Sequence, residues 1–559
     1  MTRYENAPEP ASGPNMVSYE ETCASFAFSV PEYFNFGFDV VDHWAERTPD
    51  KVALLWADRS GQQIRRYSFA DLRAQSNRFA SALRALGVGK GERVFVMVPR
   101  LVEWYAVMLG CFKVGAVPMP AANILTPHDV EYRVNQAEAT ACVLWHENAA
   151  KIDEVAARCP SLRHRVCVGA TRDGWRGYEA LVAAASPELA REAVEATRAD
   201  DTMLIYFTSG TTKFPKMVAH TQASYGIGHI TTAKLWQDLK PTDVHWTLSD
   251  TGWAKAAWGK LFGQWQIGCT VVAHDAAGKF DAKLHLELVG KLGVTTFCAP
   301  PTAYRMLILE DLSRWDLSSI RHSCSAGEPL NPEVIRAWKE ATGTTIYDGF
   351  GQTESVNMIA NFPCKPVKPG AMGLPVPGFV IDVVDDLGRP VALGEEGHIA
   401  VKTDPHPVGL FREYWRDPEA TADAFHDGWY FTGDKATKDA DGYFWFVGRA
   451  DDVIKASGYR IGPFEVESAL QSHPAVAESA VVGSPDELRG TVVKAFVVLK
   501  PGVVGDDALV KAIQEHVKAE TAPYKYPREI EFVKELPKTV SGKIRRVELR
   551  KLEEQRKRR

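Results

Sequence analysis

The feature that most limits what this chain can become is an alternation of short apolar runs with longer helical ones. ERVFVMVP (92–99) has the continuous apolar character of a strand. LVEWYAVMLGCFKVG (101–115) reads as a helix stopped by Gly115, and AVPMPA (116–121) is extended again. TMLIYF (202–207) is an apolar strand of the kind covered on both faces. NPEVIRAWKEATG (331–343) is a marked helix: Asn331 can cap it, Pro332 suits its first turn and Gly343 ends it. Val334, Ile335, Trp338 and Ala341 share one face of it. Strand–helix–strand succession of this kind argues for βαβ units and a mainly parallel sheet. The first 40 or so residues are rich in Pro, Ser and Asn and are expected to wrap the surface.

Near residue 450 the character changes. A short helix (463–471), strands at AVAESAVVG (475–483) and TVVKAFVVL (491–499), a helix at 506–519 and a strand REIEFV (528–533) follow. The polar, charged GRADDVIKASGYR (448–460) is the natural junction. The fold class is therefore α/β: a large N-terminal domain of stacked mixed and parallel sheets with helices, then a small α+β domain.

A chain of 559 residues has room for a large buried core, and its 45% hydrophobic and 24% charged content is ordinary for a globular protein. A net charge of -6 gives no general pull toward nucleic acid or anionic membrane. The basic C-terminal QRKRR reads as a solvated helix end. The longest apolar run, YAVMLGCF (105–112), is far too short to span a bilayer, and MTRYENAPEPASGP has no secretory h-region. The nine cysteines are scattered without a CxxC pair, which suggests neither a zinc site nor a disulfide framework and fits a reducing, cytoplasmic setting.

Directly after the strand at 202–207 comes TSGTTKFPK (208–216). Gly210 permits a turn that points amides outward, the hydroxyls of Thr208, Ser209, Thr211 and Thr212 can donate to phosphate oxygens, and Lys216 adds charge. The spacing is not that of a Walker A loop. By itself the stretch is equally readable as a phosphate loop or a polar surface turn.

Four further stretches follow in order: SAGEP (325–329), YDGFGQTE (347–354), YFTGD (430–434) with GRADD (448–452), and PKTVSGKIRR (537–546). With TSGTTKFPK they resemble the adenylate-forming, AMP-binding superfamily of acyl-CoA synthetases, adenylation domains and luciferases. TLSDTGWAKAAWGKLFG (247–263) and APPTAYRML (299–307) look most like its medium-chain acyl-CoA synthetases. Lys213 stands where that family usually has glycine; two readings are open, a φ that lysine tolerates with its ammonium adding charge near pyrophosphate, or a differently bent tip that leaves Lys213 in solvent, the second slightly favoured because loop tips are exposed.

The resemblance implies ATP, Mg²⁺ and coenzyme A as cofactors, and a two-step reaction with no protein nucleophile: carboxylate plus ATP gives acyl-AMP, then CoA displaces AMP. It implies an AMP-binding domain over 1–450 and a mobile lid domain over 451–559, hinged at Asp451. The loop Thr208, Ser209, Gly210, Thr211, Thr212, Lys213, Phe214, Pro215 and Lys216 would hold the β- and γ-phosphates. Gly327, Glu328 and Pro329 would line adenine and ribose, and Asp348, Gly349, Phe350, Gly351, Gln352 and Thr353 would form the nucleotide floor. Thr353 would lie near the α-phosphate, Glu354 would bind Mg²⁺, and Asp434 with Arg449 would hold the ribose. Lys543 would bridge carboxylate and α-phosphate, so the catalytic set is Lys543, Thr353, Glu354 and Arg449. Ser457, Gly458, Tyr459, Arg460 and Arg489 would serve CoA.

Trp253 and Gly351 are expected in the acyl pocket. Acetyl-CoA synthetases close that pocket with a Trp at the position of Gly351, so glycine implies room for a medium-chain, branched or aromatic acid. His220 reads as structural or solvated. The partners implied are a small carboxylic acid, ATP and CoA, with no nucleic acid and no membrane insertion. A homodimer is compatible with this, as is an acetyltransferase and deacetylase pair acting on Lys543. Two other readings share the motifs: another adenylate-forming enzyme (aryl or amino-acid adenylation, or luciferase-like), and a nucleotide-binding regulator without catalysis. Retention of Glu354, Asp434, Arg449 and Lys543 together speaks against the second.

Overall fold

The computed structural model describes residues 13–208, 215–276, 278–450, 452–456, 459–486, 490–538 and 543–557. Its largest layer is a nine-stranded sheet. The centre is parallel and runs Ile346–Phe350, His322–Ala326, Thr296–Ala299, Val244–Thr247, Thr270–His274, Val52–Ala57. Antiparallel strands close both edges, Ile64–Ser68 on one side and Ile359–Ala360 with Leu374–Pro375 on the other. A second, five-stranded sheet is parallel throughout and contains the expected pair Arg93–Met97 and Val117–Pro120, joined by the helix Val102–Lys113. Every residue of that helix from Trp104 to Lys113 is buried, which explains its lack of a polar face.

The strand Thr202–Phe207 departs from the parallel expectation. It pairs antiparallel with Met217–Thr221, Phe207 opposite Met217, so the hydroxyl-rich loop closes a hairpin. Its continuous apolar run has a physical reason. Leu204 and Tyr206 pack into one core while Ile205 and Phe207 pack into another, so both faces are covered without parallel neighbours. The helix Pro332–Thr342 forms as expected, with Asn331 Oδ1 accepting from the Glu333 amide and Gly343 at φ 73°. Val334, Ile335 and Trp338 are buried, but Ala341 is exposed.

The N-terminal segment is more deeply engaged than a surface wrap. Met16, Phe34 and Phe36 are buried in the main core, and Asn15 bonds the carbonyls of Lys234 and Leu239. From Ile454 onward the chain builds a separate hydrophobic core. It contains the hairpin Ile454–Ala456 and Tyr459–Ile461, the helix Pro463–Gln471, and a sheet of Val476–Asp486, Gly490–Leu499 and Glu529–Phe532. The smaller C-terminal domain expected near residue 450 is thus a unit with its own apolar interior. Asp451 itself lies outside the described residues.

Candidate active site

The carboxyl ends of the central parallel strands open onto one cavity of about 420 Å³, where ligands commonly bind in open α/β sheets. Its wall includes Thr208, Trp253, Gly327, Glu328, Gly351, Gln352, Thr353 and Lys543. Residues separated by more than 300 positions, among them Lys543 of the small domain, are therefore brought to one space.

The floor is built by Ile346–Phe350 and the turn that follows. Gly349 and Gly351 admit two indoles: a Cβ at 349 would lie 2.6 Å from Trp236, and one at 351 would lie 2.4 Å from Trp258. Asp348, 8% exposed, has a buried Oδ1 without a hydrogen-bond partner among the described residues, and burial pushes its carboxyl well above the usual range. Gln352 is held at both ends. Its Nε2 donates to the Thr432 carbonyl and to Asp434 Oδ2, and its Oε1 accepts from the Tyr430 hydroxyl. Asp434 sits opposite Arg449 in a strand pair, with Arg449 Nη1 donating at 3.4 Å. Burial raises the Asp434 carboxyl, opposed by the Arg449 and Lys543 charges.

The Thr353 carbonyl accepts two bonds, from His220 Nε2 at 2.8 Å and from the Tyr225 hydroxyl at 2.7 Å. His220 is wholly buried and stacked on Tyr225, and burial lowers it to about 3, so it is a neutral structural donor and not solvated. Glu354 Oε1 accepts from the Tyr414 hydroxyl at 2.8 Å. The Glu354 carboxyl is raised by burial, with the Tyr414 bond and the charges of Arg449 and Lys216 acting the other way. Lys216 lies 4.4 Å from the centre of the Tyr414 ring. One phenol thus touches the end of the phosphate loop and the carboxylate expected to face the metal.

Thr208, Pro215 and Lys216 flank the loop. The Thr208 amide donates to the Lys216 carbonyl, and the Pro215 carbonyl accepts from Tyr132. Ser209, Gly210, Thr211, Thr212, Lys213 and Phe214 lie outside the described residues. Glu328 accepts from Thr302 Oγ1 at 2.9 Å and from Arg305 at 3.5 Å beside Gly327, whose φ of 104° favours glycine, and Pro329 follows half-buried. Of the CoA set, Ser457, Gly458 and Arg489 lie outside the described residues, while Tyr459 and Arg460 occupy a short strand opposite Ala456 and Lys455.

The residues least visible beforehand lie on one short helix, Lys255–Gly259. Lys255 Nζ donates to the Ala326 carbonyl at 2.6 Å, and Trp258 covers Gly351. In GWAKAAWGK the available signal is two tryptophans five apart with a lysine inside an otherwise apolar run. Gly351 therefore does not open empty space. The room it makes is filled by Trp258, so the cavity is walled there by an indole arriving from another element.

The comparisons agree with this geometry. The model for the AMP-binding enzyme family matches residues 41–415, and the model for the AMP-binding enzyme C-terminal domain matches 465–543. The chain belongs to the AMP-binding enzyme family. Within it, relatives that match it nearly end to end are acyl-CoA synthetases. It is 45% identical to the mitochondrial acyl-coenzyme A synthetase ACSM3 of Mus musculus, covering 97% of this chain and 94% of that protein. It is also 45% identical to mitochondrial ACSM5 of Homo sapiens, covering 94% and 91%. Among solved structures, the anthranilate CoA ligase AuaEII in complex with anthranoyl-AMP superposes with a TM-score of 0.88 at 32% identity, covering 95% of this chain and 99% of that one. A benzoate CoA ligase from Burkholderia xenovorans LB400 superposes with a TM-score of 0.81 at 29% identity, covering 92% and 100%. The relatives' mitochondrial names overturn the cytoplasmic location expected from the cysteines and N-terminus. No described helix is long and apolar enough to cross a membrane.

Proposed function

We propose that this AMP-forming acid–thiol ligase activates a medium-chain, branched or aromatic carboxylic acid. The observation that carries the reading is the meeting of Lys543, Thr353, Gln352, Gly327 and Trp253 around one cavity. In the first step a carboxylate oxygen bonds to the α-phosphorus of ATP and the bond to the pyrophosphate oxygen breaks, giving acyl-AMP and pyrophosphate. In the second, the CoA sulfur bonds to the acyl carbon, its proton is lost and AMP leaves. The substrate carboxylate is already a nucleophile, so the protein's task is positioning and charge neutralisation.

In this reading Lys543 neutralises the approach of carboxylate to α-phosphate, and Thr353, with its carbonyl fixed by His220 and Tyr225, lines the phosphate side. Asp434 takes the ribose hydroxyls, with Arg449 beside it, and the strand pairing that joins them keeps both in register. Thr208 and Lys216 with the loop between them take the β- and γ-phosphates. Glu354 fits Mg²⁺: a hard carboxylate oxygen, oriented by Tyr414, beside the place where phosphate oxygens would complete the shell. The ion would add positive charge along the triphosphate. Ser457, Gly458, Tyr459, Arg460 and Arg489 are proposed for CoA, with a domain boundary near Asp451 about which Lys543 leaves after the first step. Trp253 and Trp258 wall the acyl end, and the benzoate and anthranilate ligases among its structural neighbours support room for a ring.

Acid-dependent ATP–pyrophosphate exchange and CoA-dependent AMP release, measured over acetate, butyrate, hexanoate, octanoate and benzoate, test this. The expected result is higher kcat/KM for the larger acids. Preference for acetate would refute the acid class, and the absence of exchange with every acid would refute the enzyme. Acetylation of Lys543 would erase its charge, and a native protein always unmodified there would dismiss that form of control.

A further inference from the structure

Besides the tryptophans, the cavity is lined by residues at the carboxyl ends of Val244–Thr247 and Thr270–His274. The floor there is aromatic: His285 stacks between Trp246, centroids 5.4 Å apart at 12°, and Phe280, 4.4 Å apart at 29°. Around that floor stand Arg100, Lys260 and His274, with Lys279 exposed at the rim.

These groups are not spent on one another. Lys260 is 1% exposed and has one hydrogen bond to a described residue, from Nζ to the Thr247 carbonyl at 2.9 Å. It reaches that carbonyl because the preceding residue is glycine; a Cβ at 259 would lie 1.9 Å from Thr247 Oγ1. Arg100 donates to the Ala276 carbonyl and faces Asp250 Oδ2 at 3.9 Å, while its buried Nε has no partner among the described residues. Asp250 is already engaged through Oδ1 with the Gly252 amide. His274 is 3% exposed; its Nε2 lies 3.4 Å from the Arg59 carbonyl and its buried Nδ1 has no partner among the described residues. Burial, with the Arg100 guanidinium nearby, holds the Lys260 ammonium down to about 7 against the pull of Asp250. Lys260 Nζ, with one of its donors used, and the Arg100 guanidinium give this part of the lining a cationic character that an anionic group matches better than an apolar tail does.

We propose that this part of the cavity, lined by Arg100, Lys260 and His274, seats an anionic oxygen group at the far end of the acid, so that the protein takes carboxylic acids bearing a distal second carboxylate. The inference rests on the acyl-CoA synthetase reading. The reacting carboxylate lies at Thr353 and Lys543, the carbon chain passes Trp253 and Trp258, and the distal oxygens face the Lys260 ammonium and the Arg100 guanidinium over the stacked floor, with His274 in the wall beside them. Hydrogen bonds between charged partners away from water are the stronger kind, and a fixed cationic end selects chain length as well as charge.

The test compares kcat/KM for adipate, suberate and sebacate with hexanoate, octanoate and decanoate, with the monomethyl ester of suberate as a neutral control. One dicarboxylate should exceed its monocarboxylate partner by about tenfold, and the ester should lose that advantage. In Lys260→Met, and separately in Arg100→Gln, the ratio of dicarboxylate to monocarboxylate within each variant should fall by about tenfold. Because the ratio is taken within one protein, a loss of folded material does not mimic it. Turnover of monocarboxylates with no gain from a second carboxylate at any length overturns the proposal and leaves the synthetase reading intact. A dicarboxylate preference unmoved in both variants overturns the assignment to this part of the cavity. Failure of every acid, mono- or dicarboxylic, sinks the synthetase reading and this inference with it.

Discussion

The Trp258 indole occupies the place a side chain at Gly351 would take: a Cβ built at 351 would stand 2.4 Å from Cη2 of the indole and 2.6 Å from the Val356 carbonyl. The glycine cannot take a side chain while the tryptophan stays. Trp258→Ala should open the acyl end and move preference toward longer or bulkier acids, raising the decanoate-to-hexanoate kcat/KM ratio by about tenfold. Gly351→Ala, which forces the ring or the carbonyl aside, should cost about 1–3 kcal/mol of stability in denaturant titration. An unchanged chain-length profile in the first variant would remove Trp258 from the acid wall.

Tyr414 donates to Glu354 and carries Lys216 on its ring. Tyr414→Phe keeps the ring and removes the hydroxyl. It should lower kcat/KM for ATP by about tenfold and raise the Mg²⁺ concentration needed for half-maximal rate. A Mg²⁺ dependence identical to wild type would mean that the tyrosine does not orient the carboxylate.

Lys543→Ala should abolish acid-dependent ATP–pyrophosphate exchange, a loss of at least about 10²-fold. Thioester formation from supplied acyl-AMP and CoA should persist, because the lysine is assigned to the first step. Equal loss of both half-reactions would contradict that division.

His322 is buried, donates to the Trp236 carbonyl at 2.8 Å and stacks on Tyr347, and burial lowers it to about 4. Below its ordinary value near 6.5 the unfolded chain takes a proton that the folded chain does not. The stability this histidine contributes is therefore complete above that value and is lost as pH falls toward about 4. His322→Gln should flatten the acid slope of unfolding free energy in this window by about 1.4 kcal/mol per pH unit. Parallel slopes for variant and wild type would show the imidazole to be protonated in the folded state.

Much of the architecture was legible because local signals and global packing agree. The cap–proline–glycine punctuation of 331–343 and the apolar runs at 202–207 and 491–499 became the elements they suggested. Strand direction at 202–207 was not legible, since a run covered on both faces looks the same whichever way its neighbour runs. Among site residues, those on glycine-rich turns were visible from the motifs, while Tyr225 and Tyr414 were not. Their hydroxyls act on residues 128 and 60 positions away, and nothing local marks a tyrosine for such a task. Trp258 was hidden for a similar reason: its meaning comes from the missing side chain at 351, and the two meet only in the folded chain.

Three glycines around the acid pocket press against neighbours: 252 on the Ala122 backbone, 259 on Thr247, and 351 on Trp258 and the Val356 carbonyl. Where backbone meets backbone or a buried strand residue, the spacing of the scaffold is fixed by the absence of atoms and leaves nothing to trim or enlarge. On the proposed function, divergence toward a new acid is thereby channelled onto side chains of the lining, such as Trp253, Lys255, Trp258 and Lys260. A lineage could exchange those four and keep the nucleotide machinery untouched, much as a lock is rekeyed by changing pins and not the barrel.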